Sequence, residues 1–327
     1  MNLLGVLFTD EGVLRHPTFG PWEIGPAEIY PFGLSIAVGL IIGMYLAGRR
    51  GKQIIGVEEE RFHNFGIWLI IIGWIFSHIF AVLTYSPREV AENPLILLEF
   101  WGMISSVGGV IGGTLAVYIW MRRNPDEDHL AWANLAAWTL AICFFFGRLG
   151  CTFAYDHPGK LAEDFGPWNW FHETTGIGPE IFPLAMPFAE HLGGGIRHNL
   201  GFYEAILWFA IMVLFLWLGM KPRRRGLYLW LLPLLYSIPR FFLDFLRAYP
   251  SPDDVLYRLP NEIPGGDPRY FGLTPAQYTA IVFLAIGIFA WFKLKDQPIE
   301  KWAIHKDDGE DSGEDDNKRD DEAKKAD

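Results

Sequence analysis

Apolar residues are gathered along the chain into blocks of about twenty residues that are separated by short polar connections. A helical block of this length spans the hydrocarbon core of a bilayer, because each residue adds about 1.5 Å to the helix axis. The pattern predicts an all-α, polytopic integral membrane protein in which residues 1–296 form the membrane domain. Its seven expected transmembrane helices are residues 30–48, 64–84, 102–121, 131–153, 200–220, 227–247 and 275–294.

Two parts of the chain fall outside these blocks. Residues 154–199 form the longest connection and mix aromatic residues with proline and glycine, a composition that suits the headgroup zone of a membrane. From Lys306 to Asp327 there are eleven acidic and five basic residues, which together contribute −6 of the formal net charge of −11. Such a run cannot bury enough apolar surface to become ordered, so residues 297–327 are predicted to form an acidic, disordered tail.

Basic residues alternate between the two sets of connections and predict the orientation of the chain. They follow the first, third, fifth and seventh blocks and are sparser in the opposite connections. The positive-inside rule then places the N-terminus outside and the C-terminus, with its tail, in the cytoplasm. Residues 154–199 are therefore an outer-face loop region. The basic residues that follow those blocks are Arg49, Arg50, Lys52, Arg61, Arg122, Arg123, Lys221, Arg223, Arg224, Arg225, Lys293, Lys295, Lys301 and Lys306.

Charged residues converge at the predicted outer ends of two blocks. Arg148 ends the fourth block, and the sixth carries Tyr236, Arg240, Asp244 and Arg247 at spacings of four, four and three residues, which places them on one helical face. Such side chains must face protein or water. One interpretation is a structural ion pair between Arg240 and Asp244. The other is an anion site, because several guanidinium groups at one depth favour a phosphate.

Further candidates lie beside this cluster. Asp156 and His157 reach the membrane edge together, where they are either solvated or able to act as an acid and a base. Gly108 and Gly109 begin small-xxx-small pairs that favour helix packing, with close approach of a lipid headgroup as the alternative. Glu204 lies early in the apolar fifth block and is expected to face inward.

Other kinds of site find no support in the sequence. Cys143 and Cys151 lie eight residues apart, about 12 Å along a helix, which is too far for a disulfide. No metal site and no cofactor are expected, and the basic residues are explained by orientation rather than by binding nucleic acid. The first thirty residues have no basic region before their short apolar start, so no cleavable signal peptide is predicted.

Six segments of the chain stand at set places in the predicted blocks. They are IGPAEIYPFGLSIAVGLIIGMYLAGRR in the first block, SSVGGVIGG in the third, GRLGCTFAYDHPGK at the end of the fourth, RHNLGFYEA at the start of the fifth, RGLYLWLLPLLYSIPRFFLDFLR in the sixth and GLTPAQY at the seventh. In sequence, order and spacing these segments resemble the bacterial prolipoprotein diacylglyceryl transferase family, over nearly all of residues 24–295.

The resemblance implies a transferase of the bacterial inner (cytoplasmic) membrane. It implies that the enzyme moves the diacylglyceryl group of phosphatidylglycerol to the lipobox cysteine in the signal peptide of a lipoprotein precursor. Glycerol phosphate would be released. Arg148 and Arg240 match family positions that would hold the departing phosphate. The candidate catalytic residues are Asp156, His157, Arg240 and Asp244, and the candidate substrate-binding residues are Arg148, Gly150, Gly159, Tyr236, Arg247, Gly108 and Gly109.

Several positions depart from the family pattern. Val107 stands where the family has the histidine proposed as its catalytic base, Cys151 replaces an asparagine, and Asp156 and Asp244 replace glutamates. One hypothesis is that Asp156 with His157 takes over the role of the base; a weaker one makes Cys151 a covalent relay. The departures leave two alternatives open: a phospholipid-dependent transferase with a different acceptor, and a paralogue that binds phospholipid or lipoprotein without catalysis.

Overall fold

A computed structural model of the protein describes residues 22–24, 27–100, 102–154, 157–161, 185–188, 196–248 and 269–300. All seven predicted blocks coincide with helices. Proline starts the first and last of these, where its missing amide costs no hydrogen bond. In chain order the helices are α1 (Pro31–Ile54), α2 (Glu59–Tyr85), the short α3 (Pro87–Glu92), α4 (Ser106–Arg123), α5 (His129–Ala154), α6 (Leu200–Gly219), α7 (Leu227–Leu243) and α8 (Pro275–Leu294).

Six of the described helices are long and apolar enough to cross a membrane, namely α1, α2, α5, α6, α7 with its continuation to Leu246, and α8. The predicted membrane protein is confirmed, but the predicted count of seven spans is not. The exception is α4, the glycine-rich third block, which is an 18-residue helix ending in Arg122 and Arg123. Its four glycines and two terminal arginines lower its hydropathy below that of the other blocks.

The end of the bundle where α2 and α5 begin has an aromatic core. Phe62 and Phe65 of α2 pack with Trp132 of α5, with ring centroids 6.3 and 4.7 Å from the tryptophan ring. Trp120, near the end of α4, completes the group at 5.6 Å from Trp132. Aromatic rings at these separations stabilise a core beyond the area that they bury. The charged residues singled out in the sequence lie at the opposite end of α5.

Short strands cover that opposite end, a feature that the all-α prediction did not include. β1 (Trp22–Ile24) pairs antiparallel with β2 (Ala27–Ile29) just before α1. A second, antiparallel sheet has the order β3-β5-β4, where β3 is Pro158–Leu161, β4 is Ala185–Pro187 and β5 is Ile196–Asn199. β3 follows α5 closely and β5 runs directly into α6. This sheet is the part of the predicted loop region 154–199 that the structure describes.

The described chain continues past α8 to Glu300. The amide of Arg225 donates to the carbonyl of Pro298 at 3.0 Å, and the amide of Glu300 donates to the carbonyl of Arg223 at 2.8 Å. The Glu300 carboxylate accepts from Nδ2 of Asn134 at 3.0 Å. Burial raises the pKa of Glu300 above its ordinary value. The first four residues of the predicted tail thus lie against the bundle, and residues 301–327 lie outside the described residues.

Glycine packing between α2 and α4 supplies a first prediction. A Cβ on Gly108 would lie 2.4 Å from the carbonyl oxygen of Phe76 and 2.6 Å from Cβ of Phe80, whereas one on Gly113 would meet nothing within 4 Å. We expect Gly108→Ala to lower the free energy of unfolding by about 1–3 kcal/mol because the two helix backbones must separate. Gly113→Ala should be neutral or stabilising by up to about 1 kcal/mol.

Unfolding in mixed micelles measures both variants against the parent chain. Equal losses in the two variants would contradict the close packing of Gly108 on α2.

Candidate functional site

Arg148 lies on the penultimate turn of α5 and its side chain is almost fully buried. Its Nε lies 3.0 Å from Oε2 of Glu204, near the start of α6. Its Nη2 donates to Oγ of Ser106, the first residue of α4, at 3.0 Å. A third contact joins its Nη1 to Nε2 of His157 at 3.0 Å. One guanidinium group therefore connects α4, α5, α6 and the residue that precedes β3.

Arg240 reaches the same carboxylate from α7. Its Nη1 lies 3.2 Å from Oε1 of Glu204 and 2.8 Å from Oδ1 of Asp244, one turn further along. Two arginines from separate helices thus share Glu204, one on each carboxylate oxygen. The sequence interpretation expected Glu204 only to face inward, and the structure shows it to be the residue that joins the two arginines. The signal in the sequence was a carboxylate in an apolar block, but its partners could not be deduced from that block alone.

The end of α7 is shaped by proline and by a change of helix type. Pro239 lies inside α7 and lacks the amide that would bond to the carbonyl four residues earlier. After Leu243 the chain continues as a 3-10 helix, Asp244–Leu246. The tighter turn brings Nε of Arg247 to 3.0 Å from Oδ1 of Asp244. The predicted face of Arg240, Asp244 and Arg247 is therefore confirmed as one connected ion-pair chain.

Thr274 ties the start of α8 to this chain. Its hydroxyl accepts a hydrogen bond from the amide of Gln277, and the Gln277 side chain accepts from the amide of Thr274, which together form a capping box. The same hydroxyl donates to Oδ2 of Asp244. Asp244 is completely buried; it forms an ion pair with Arg240 of α7 and accepts hydrogen bonds from Arg247, just after the 3-10 helix, and from Thr274, just before α8. Its position is accordingly held from three sides.

The buried group carries a net positive charge. Arg148, Arg240 and Arg247 contribute three positive charges, and Glu204 and Asp244 two negative ones, which leaves +1; none of these side chains is more than 6% exposed. An excess of guanidinium groups in a low-dielectric site favours an anion that accepts several hydrogen bonds. These five residues are called the arginine–carboxylate cluster below. No three His, Cys, Asp or Glu side chains among the described residues are arranged to hold a metal ion.

His157 contacts the cluster through its Nε2 atom. An arginine has no acceptor, so in this contact Nη1 of Arg148 is the donor and Nε2 of His157 the acceptor. The thiol of Cys151 is buried and not in a disulfide, and its Sγ lies 3.8 Å from the same Nη1. Asp156, the partner of His157 in the base hypothesis, lies outside the described residues. The role of Asp156 stays a prediction.

Tyr236 lies one turn before Arg240. Its ring packs on Trp208 of α6 with centroids 4.9 Å apart. It is close enough to interact electrostatically with Glu204, Arg240 and Arg148. The structure therefore brings it to the edge of the cluster, as the spacing predicted.

The candidate glycines differ in what surrounds them. A Cβ on Gly150 would lie 3.1 Å from the carbonyl oxygen of Phe32 on α1. One on Gly159 would lie 2.6 Å from Cβ of His198, and Gly159 also pairs in an isolated β-bridge with Arg247. Gly108 packs on α2, whereas a Cβ on Gly109 would have only ordinary contacts, at 3.9 Å. Gly159 is thus the glycine that joins the sheet directly to the cluster.

Comparison with known proteins agrees with this geometry. Residues 21–293 match the family model described as prolipoprotein diacylglyceryl transferase. A phosphatidylglycerol–prolipoprotein diacylglyceryl transferase of Clostridium tetani is 26% identical over 275 residues, covering 83% of this chain and 95% of that protein. One of the same name from Allorhizobium ampelinum is 27% identical, covering 90% and 96%.

A further relative, phosphatidylglycerol–prolipoprotein diacylglyceryl transferase 2 of Clostridium perfringens, is 30% identical over 230 residues, covering 70% of this chain and 82% of that protein. The family match spans every described helix from α1 to α7 and nearly all of α8, and so includes each residue of the arginine–carboxylate cluster. The chain therefore belongs to the prolipoprotein diacylglyceryl transferase family.

Proposed function

We propose that this protein transfers the diacylglyceryl group of phosphatidylglycerol to the thiol of the lipobox cysteine in a prolipoprotein. The observation that carries the proposal is the buried, net-positive cluster in which Arg148 and Arg240 share Glu204. Membership of the family and the names of its relatives support the choice of donor and acceptor.

In the proposed step the acceptor thiolate attacks the glyceryl carbon that carries the phosphate. A carbon–sulfur bond forms as the carbon–oxygen bond to phosphate breaks, and glycerol phosphate leaves with the electron pair of that bond. The negative charge on the leaving phosphate grows during the step. Arg148 and Arg240 would stabilise it, because prearranged donors aimed at developing charge lower the barrier.

The thiol proton needs an acceptor, and His157 is the proposed one. Its Nε2 lone pair is engaged by Arg148 in the structure described. A phosphate that takes over the Nη1 donor of Arg148 would release this lone pair for the thiol. Binding of the donor lipid and activation of the acceptor would then be coupled through one guanidinium group. Asp156 is proposed to support His157 in this role.

The proposed setting is the bacterial inner membrane, with the N-terminus outside, the C-terminus cytoplasmic and the cluster at the outer face. The distribution of arginine and lysine between the connections supports this orientation.

Transfer from labelled phosphatidylglycerol to a lipobox peptide in proteoliposomes tests the proposal. We expect lipid-modified peptide and free glycerol phosphate in equal amounts, and neither product with a Cys→Ala peptide. Complementation of a strain depleted of its own prolipoprotein transferase tests the acceptor in the cell. Absence of both products in a correctly folded, lipid-bound sample would contradict the proposal.

A binding function without transfer is the second candidate, favoured by Val107. This residue lies next to Ser106, whose hydroxyl contacts Arg148, and it puts an aliphatic side chain where the family has a histidine. The anion site would remain while the usual proton acceptor is lost. Tight binding of phosphatidylglycerol with no release of glycerol phosphate would favour this candidate.

His157→Ala is predicted to slow transfer about 10²–10⁴-fold at pH 7, the usual contribution of a general base. The deficit should shrink toward pH 9, because the thiol of the peptide cysteine, with a pKa of about 8.5, ionises there without a base. The measurement is the transfer rate as a function of pH, with and without added imidazole.

His63→Ala is the matched control, since His63 is exposed at the opposite end of the bundle. Full activity of His157→Ala at pH 7 would remove His157 from the proton path.

A further inference from the structure

The turn before α8 carries an aromatic side chain that makes no side-chain contact with the described residues. Phe271 is 103% exposed, as open as in an extended peptide. The described part of the chain offers it no hydrogen bond, ion pair or ring partner. Burying nothing, this large apolar group contributes nothing to the stability of the folded chain.

The backbone at Phe271 is also unfavourable for this residue type. Its φ is 50°, and no other described non-glycine residue has a positive φ. Bulky side chains rarely adopt this left-handed conformation, and Gly272, at 84°, is the usual solution to such a turn. A strained residue that contacts none of the described residues favours a partner outside the chain.

Hydrogen bonds on both sides of Phe271 fix the backbone of the turn. Tyr270 and Leu273 exchange two backbone hydrogen bonds, at 2.8 and 3.1 Å. The hydroxyl of Tyr278 donates to the carbonyl of Tyr270 at 2.7 Å. The hydrogen-bonded turn therefore holds the backbone of Phe271 in a defined position next to the start of α8.

The position of the turn favours the membrane interface as this partner. α8 is one of the membrane-crossing helices, and its far end has an exposed aromatic pair, Trp291 and Phe292, each within 5.8 Å of Nζ of Lys295. Such aromatic and lysine groups mark the boundary between headgroups and acyl chains. Phe271, with half-exposed Tyr270 and Tyr278, forms the corresponding aromatic group at the other end.

We propose that Phe271 inserts into the lipid interface and anchors the start of α8 at a fixed depth. Thr274, three residues on, donates to Asp244, and Nη2 of Arg269 donates to the carbonyl of Arg247 at 3.2 Å. The anchored turn thus bonds on both sides to the arginine–carboxylate cluster. Fixing the turn in the lipid sets the depth of the cluster relative to the headgroup phosphates. This proposal concerns lipid contact and does not depend on the reaction.

A fluorophore on Phe271→Cys in liposomes tests the contact. We expect strong quenching by lipids brominated on their acyl chains and several-fold weaker quenching by aqueous iodide. The same label on Glu58→Cys, an exposed position at the other end of the bundle, should show the reverse. The parent chain treated with the same reagent corrects for labelling of Cys143 and Cys151.

Two results would overturn the proposal. One is a label at position 271 that iodide reaches as readily as at position 58. The other is shielding that appears only when a lipobox peptide is added, which would assign the turn to the prolipoprotein instead.

Discussion

Arg240→Gln is expected to reduce the rate of diacylglyceryl transfer about 10²–10³-fold, the effect of removing one donor from a prearranged anion site. The fold should survive, because each carboxylate keeps a partner: Glu204 remains bonded to Arg148, and Asp244 to Arg247 and Thr274. The net charge of the cluster falls from +1 to 0. The lower transfer rate should therefore come from weaker stabilisation of the phosphate and not from a change in helix packing.

Transfer kinetics and phosphatidylglycerol binding, measured on the same proteoliposomes, check this prediction. Arg122→Gln is the matched control, since Arg122 is exposed at the opposite end of the bundle and should change neither quantity. If Arg240→Gln binds lipid normally but transfers slowly, Arg240 stabilises the transition state and not the bound lipid. Unchanged transfer by Arg240→Gln would show that the cluster is structural, the alternative that the sequence left open.

The helices were predictable because a helix that crosses a bilayer must be apolar over about twenty residues, and hydropathy measures this property directly. Each predicted block overlaps an observed helix, and the exception in span count, α4, contains four of the glycines that made its block the least apolar. The convergence of Arg148 with Arg240 followed from orientation and helical spacing. The helix positions and this convergence both depend on local periodicity and on the depth of each residue in the membrane. A single sequence is enough to infer both properties.

Contacts between separate elements were not accessible in the same way. Ser106 and Glu204 contact Arg148 only because α4, α5 and α6 pack together. The sequence around each of these residues does not indicate which residue it will contact. The strands of the β3-β5-β4 sheet are three or four residues long, too short to show an alternating pattern. Their pairing is set by the neighbouring helix ends and by the close approach of Gly159 to His198.

The position of Glu204 explains how a charged site is retained inside an apolar bundle. It neutralises part of the repulsion between Arg148 and Arg240. In the proposed function, the remaining positive charge of the arginine–carboxylate cluster attracts the phosphate of the donor lipid. The cost of burying these groups is offset by the chain of contacts that runs through Asp244 to Thr274. The same contacts hold the arginines in place, so that less ordering would be needed if the proposed lipid phosphate binds there.

Glu204→Gln should consequently be the most destabilising of the changes considered. Removing one partner of a buried ion pair costs about 3–5 kcal/mol, because the remaining charges are left uncompensated. The free energy of unfolding should fall by that amount, and misplacement of the arginines by about 1 Å should slow transfer about 10²-fold. Unfolding in mixed micelles and transfer in proteoliposomes measure the two effects.

Glu300→Gln provides a control that loses a buried carboxylate elsewhere. Glu300 lies 3.8 Å from Arg50 at the opposite end of the bundle, and its replacement should lower stability without changing transfer. Combining Glu204→Gln with Arg148→Gln should restore part of the stability lost by Glu204→Gln, since the buried charge that remains is smaller. Simple addition of the two losses would mean that Glu204 does not hold Arg148, and the coupling between the arginines would have to run through Asp244 instead.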